Sequence, residues 1–183
     1  QLFIFHGDIK DSNILVEIKN DRMYTRLIDW GLTCSYKPSK FLRIPPVWFN
    51  RPFQYNLPYS NILLSDIFFQ TYASFHSKNP DPIDTEMDNY VHEFITILVN
   101  NRGAGHLFLM NKIINILTDN KLTKETIHFT NDSRDISKQT EQVIVRYISE
   151  ILLDFHSITP NGTFDLHDYI NKVYIFNLDI WGF

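Results

Sequence analysis

The chain has 183 residues, enough for one domain with its own core, and 44% of them are apolar and 15% aromatic, which excludes a disordered tail. A net charge of −4 with no basic run gives neither a nucleic-acid-binding nor a membrane-surface signature. The single cysteine, Cys34, excludes an intrachain disulfide framework and fits a reducing compartment; with no apolar run of spanning length and no visible signal peptide, a cytoplasmic location is expected.

In chain order, Leu2-Phe3-Ile4-Phe5 reads as the end of an apolar helix that runs into a polar loop, His6-Gly7-Asp8-Ile9-Lys10-Asp11-Ser12-Asn13. Ile14, Val16 and Ile18 then alternate with Leu15, Glu17 and Lys19. Asn20-Asp21 supplies a turn, and Tyr24-Thr25-Arg26-Leu27-Ile28 is β-prone again, so the spacing predicts a hairpin. The hairpin delivers Asp29-Trp30-Gly31, where Gly31 is read as the flexible point of a sharp exit. Leu32 to Arg51 reads as loop, with Pro38, Pro45 and Pro46; the hydroxyls of Thr33, Ser35, Tyr36 and Ser39 are read there as turn formers rather than phosphate acceptors.

Helical pieces are predicted over 60–77, 84–100, 105–119, 138–156 and 165–178. The fourth is the clearest, with Val143, Val145, Tyr147, Ile148, Ile151, Leu152 and Phe155 mostly on one stripe, a core face by default. Arg102-Gly103-Ala104-Gly105-His106 is read as a glycine break between two helices in preference to a functional loop. His92-Glu93 opens like a zinc-protease frame, but Thr96 stands where the second histidine belongs, so the histidines form no metal site by spacing. Asn131-Asp132-Ser133 and Asn161-Gly162-Thr163 match glycosylation acceptors and are read as ordinary loops.

The chemistry concentrates in the first 32 residues. A phosphoryl group in flight carries charge on its oxygens, so its transfer needs metal-holding groups and a carboxylate base that converge. Asp8 and Asn13, five apart on one tight loop, can face two directions; Lys10 can extend over the same loop, and Asp29 returns to it at the hairpin end. The frames H-x-D-x-K-x-x-N and D-W-G, in this order around a hairpin, resemble the eukaryotic-type protein kinase superfamily.

That resemblance implies a protein-kinase-like C-lobe, mainly α with a small β-hairpin, and assigns roles residue by residue. Asp8 is implied as the catalytic base and Lys10 as the phosphate-contacting lysine. Asn13 and Asp29 would be the Mg2+ ligands, Leu15 part of the floor beneath the adenine of ATP, and His6 a buried ring bonded to backbone near the metal-binding triplet. His-Gly-Asp with Ile28-Asp29-Trp30 also looks like small-molecule phosphotransferases of the aminoglycoside and choline type. Lys10, Gly31 and the stretch Pro45-Pro46-Val47-Trp48-Phe49-Asn50-Arg51-Pro52, similar to the W-Y-R-A-P-E end of an activation segment, favour a Ser/Thr protein kinase with a protein substrate. Phe53 replaces the glutamate of that stretch. Gly7 replaces the arginine of H-R-D, so no activation by phosphorylation of the segment is expected.

The family's next helix opens with D-x-W, whose aspartate holds the catalytic loop. Asp66 lies at the usual distance from Pro52, whereas Asp179-Ile180-Trp181-Gly182-Phe183 carries the matching residues, and Asp179 is the favoured reading. The domain plan is then 1–52 for the catalytic loop, hairpin and activation segment, 53–178 for a helical insertion that could dock a partner, and 179–183 for the start of the next helix, with no N-lobe in this chain. The arrangement is similar to kinase-like proteins of giant DNA viruses, which would place it in host cytoplasm or a virion. A pseudokinase scaffold is the remaining alternative.

Overall fold

The structure, a computed structural model, describes residues 2–37, 44–117, 126–127, 136–156 and 164–182. Pro38, Ser39, Phe183 and the tripeptides at Asn131 and Asn161 lie outside them. The described residues are mostly helical, with three two-stranded antiparallel sheets among them.

Phe3–Phe5 is a strand, β1, and not the end of a helix. The hairpin follows as expected: β2 (Ile14–Lys19) and β3 (Arg22–Leu27) pair from Ile14↔Leu27 to Lys19↔Arg22. Asn20 and Asp21 turn it with φ of 52° and 58°, a left-handed pair whose twist matches the strands. The stretch read as loop contains a strand, β4 (Cys34–Tyr36), which pairs with β1 in the register Phe3↔Tyr36 and Phe5↔Cys34. Three residues carry little local strand signal, and the pairing partner lies some thirty positions away in sequence, so neither strand was visible alone. Ser35 and Tyr36 therefore sit in a strand. Pro46–Asn50 forms a tight 3₁₀ turn.

The first predicted helix is split in two. Tyr59–Leu64 is a buried 3₁₀ turn, and α1 (Asp66–Lys78) begins after Ser65, whose hydroxyl accepts the Phe68 N–H at 3.1 Å and so caps it. Then come α2 (Asp84–Arg102), α3 (Leu107–Leu117), a short strand pair β5 (Thr126–Ile127) with β6 (Ile136–Ser137), and α4 (Lys138–His156). In α4 the buried stripe is Ile144, Val145, Ile148 and Leu152, while Val143 turns outward. A last helical run joins α5 (Leu166–Tyr169), a π turn (Ile170–Tyr174) and α6 (Ile175–Asn177).

One apolar core runs through the described residues: Trp48 and Phe53 belong to the same buried cluster as Phe94, Ile148 and Tyr174. The region expected as an insertion thus packs directly beneath the segment that precedes it. Each such side chain contributes about 1.5–3 kcal/mol when fully buried. Two interior hydrogen bonds tie distant elements together. Tyr169 donates to the Ser60 hydroxyl at 2.6 Å and Tyr174 to Asn61 Oδ1 at 2.7 Å, which fastens the last helical run to the 59–64 turn. Among the described residues no helix is long and apolar enough to cross a membrane.

Candidate active site

The loop 6–13 is held from below by a residue near the other end of the chain. Asp179 accepts the His6 N–H through Oδ2 at 2.8 Å and the Gly7 N–H through Oδ1 at 2.9 Å. Asp66, the alternative anchor, lies instead at the start of α1, where Arg102 pairs with it at 3.1 Å. The His6 ring is buried and its Nε2 lies 2.9 Å from the Ile28 carbonyl; a carbonyl can only accept, so Nε2 carries the proton. Gly7 has φ +71°, and a Cβ there would come within 2.7 Å of both the Leu32 carbonyl oxygen and the Trp48 ring. The glycine at position 7 is therefore a packing requirement: Trp48, 1% exposed, occupies the space a side chain would need.

Asp8 is the hub, only 4% exposed. Lys10 Nζ donates to its Oδ2 at 2.8 Å and Asn13 Nδ2 to the same oxygen at 3.1 Å. Asn13 Nδ2 also donates to the Asp8 carbonyl at 2.9 Å, and its own N–H closes a tight turn onto the Lys10 carbonyl, likewise at 2.9 Å. On the other carboxylate oxygen, Asn56 Nδ2 donates to Oδ1 at 2.8 Å and to the Ile9 carbonyl at 3.1 Å, while Arg51 Nη2 stands 3.8 Å away. Burial pushes the Asp8 carboxyl up, but the hydrogen bonds from Lys10 and Asn56 and the charges of Lys10 and Arg51 outweigh it and hold the group below its ordinary value. Asp8 is thus ionised at neutral pH.

The hairpin register carries Asp29 back to this loop, since the Ile28 N–H donates to the Asn13 carbonyl at 3.0 Å. Asp29 itself, not Gly31, takes the left-handed conformation, with φ 62°. Trp30 turns back to donate its indole N–H to the Leu27 carbonyl at 3.1 Å. The Asp29 carboxylate is exposed and makes no hydrogen bond among the described residues. Asn13 spends its amide nitrogen on Asp8, which leaves its Oδ1 as an acceptor. An amide oxygen and a carboxylate suit Mg2+, which takes few protein ligands and completes its shell with water and phosphate oxygens. Among the described residues no three His, Cys, Asp or Glu side chains gather as a self-sufficient metal cage. Leu15 lies on β2, 52% exposed.

Asp8, Lys10 and Asn13 are therefore in direct contact, Asp29 sits one position beyond the Asn13 pair, and Leu15 presents an apolar surface on the adjoining strand. No family model, curated protein or solved structure matches the chain. Two contributors to the cluster were not singled out as site residues from the sequence. Asn56 sits 48 positions from Asp8 in an unremarkable Tyr-Asn-Leu-Pro stretch, and Arg51 was visible only as part of the activation-segment likeness. Phe53, where the resemblance would put a glutamate, is a buried core residue.

Proposed function

We propose that the protein transfers the γ-phosphate of ATP to serine or threonine hydroxyls of a protein substrate, its fold being a kinase-type C-lobe that works in a reducing, cytoplasmic compartment. The observation that carries the reading is the hydrogen-bonded set Asp8, Lys10 and Asn13 on a loop whose backbone is clamped by Asp179. Asp8 is ionised and hydrogen-bonded on both oxygens, which fixes its orientation for a hydroxyl. The acceptor oxygen attacks the γ-phosphorus, the bond to the ADP oxygen breaks, and the acceptor proton passes to Asp8. Lys10, long and half-buried, can touch the transferring phosphate from its place beside Asp8. Asn13 and Asp29 would hold Mg2+, which when bound neutralises phosphate charge. Leu15 offers the adenine an apolar contact.

The test is Mg-dependent transfer from labelled ATP to a generic protein acceptor and to an aminoalcohol panel, with wild type beside Asp8→Asn and Asp29→Asn. Asp8→Asn is expected to lose about 10²- to 10⁴-fold in turnover while it still binds Mg-ATP. Asp29→Asn is expected to weaken Mg-ATP itself. Transfer to aminoalcohols alone would replace the protein substrate with a small one, and Mg-ATP left unbound by folded wild type would make the chain a scaffold.

A further inference from the structure

The loop between α2 and α3 reaches the catalytic cluster. Gly103 ends α2, its N–H donating to the Val99 carbonyl at 2.8 Å. Gly105, with φ +54°, then lies so close to the 52–53 backbone that a Cβ would sit 2.3 Å from the Phe53 carbonyl oxygen and 2.9 Å from Pro52 Cβ. Only glycine permits that approach. It locks the next residue in place: the His106 N–H donates to the Phe53 carbonyl at 2.8 Å, and the imidazole stands 5.2 Å from the Tyr55 ring. Two residues before Phe53, Arg51 reaches Asp8 with Nη2 at 3.8 Å from Oδ1. His106 and Arg51 thus belong to one wall of the site.

Two nitrogens of that wall are buried without a hydrogen-bond partner among the described residues, Arg51 Nη1 and His106 Nδ1. Removed from water and left unpaired, such groups destabilise an empty site and favour a ligand that satisfies them. Two cationic side chains, Lys10 and Arg51, face the carboxylate of Asp8. His106 registers this: burial first, then the charges of Arg51 and Lys10, lower its pKa, with Asp8 opposing. The Arg51 side chain keeps 15% of its surface open, and its Nη2 also donates to Gln54 Oε1 at 3.4 Å. A planar guanidinium fork beside an imidazole suits a carboxylate or phosphate, and here the fork lies next to the carboxylate that takes the hydroxyl proton.

We propose that Arg51 and His106 form an acceptor-binding site that selects peptide hydroxyls flanked by an anionic side chain, an aspartate, glutamate or phosphoserine docking against the loop 103–106. The substrate class so named rests on the phosphoryl-transfer reading above, but binding can be read without it.

The test uses the full chain without nucleotide and serine peptides of equal length whose flanks are acidic, phosphorylated, amide or basic, each labelled for fluorescence anisotropy. The acidic and phosphorylated peptides should bind at least about tenfold tighter than the amide one, and the preference should fall below about threefold in Arg51→Gln and in His106→Gln. The imidazole signals of His106 in an NMR titration should move with the acidic peptide, and its pKa should rise as the anion balances the local positive charge. Equal affinities for all peptides, no binding of any peptide, or a preference unchanged in both variants would overturn the proposal. Acidic preference without phosphate transfer would overturn only the kinase reading, and transfer with the same KM to amide and acidic peptides would overturn only the acceptor site. Should Arg51→Gln fail to fold by circular dichroism, His106→Gln decides alone.

Discussion

Asp179 and Gly7 meet across 172 positions of sequence: the carboxylate accepts the Gly7 N–H at 2.9 Å, and its second oxygen takes the neighbouring amide of His6. The bidentate clamp sets the backbone from which Asp8 projects. Its donors are partly buried, so loss of the acceptor leaves amides that water does not fully recover.

Asp179→Ala should therefore lower stability by about 3 kcal/mol, with Asp179→Asn in between because its amide oxygen still accepts one bond. Urea unfolding gives the size of the loss. Hydrogen exchange at the His6 and Gly7 amides, accelerated more than the rest of the protein, would tie it to this clamp; uniform acceleration would not.

An arginine at position 7, where the H-R-D frame has one, should harm the protein. In Gly7→Arg the new Cβ meets the Leu32 carbonyl oxygen and the Trp48 ring at 2.7 Å, on a backbone with φ +71°. Left-handed strain and overpacking together predict a loss of about 3 kcal/mol, read as a lower thermal midpoint. An unchanged midpoint would mean that Trp48 does not fill this space.

Acid should weaken the site through Asp8. Its folded pKa lies below the ordinary value of 3.8, so the stabilisation it brings is complete above about pH 4 and is lost as pH falls through the lowered value. The stability gap between wild type and Asp8→Asn should be constant from neutral pH down to about pH 4 and close below it. For the same reason, a fall in transfer rate between about pH 5 and 7 would have to come from a group other than Asp8.

Cys34 should be inert in the folded protein. It is 1% exposed, and burial first, then the nearby Asp179 charge, push the thiol up to about 12. Iodoacetamide at pH 8 should leave it unmodified under native conditions and label it in denaturant. Labelling of the native chain at the denatured rate would show that the β1–β4 pair opens readily.

Much of this molecule was legible without its fold. Alternation over Ile14 to Lys19 and the Asn20-Asp21 turn specify the hairpin within fourteen residues, and a 3.6-residue stripe specifies α4, because backbone preference and amphipathic period act over one element. The order Asp8, Lys10, Asn13, Asp29 was likewise readable, since a tight turn and a strand register place those side chains locally. Tertiary packing alone decided the rest. It made β1 a strand by supplying β4, put the already favoured Asp179 on the His6 and Gly7 amides, gave Gly7 its reason in Trp48, and brought Asn56, Arg51 and His106 to the cluster. These partners lie tens to more than a hundred positions apart, and nothing in a local period encodes which distant surface will fill a given space or satisfy a given amide.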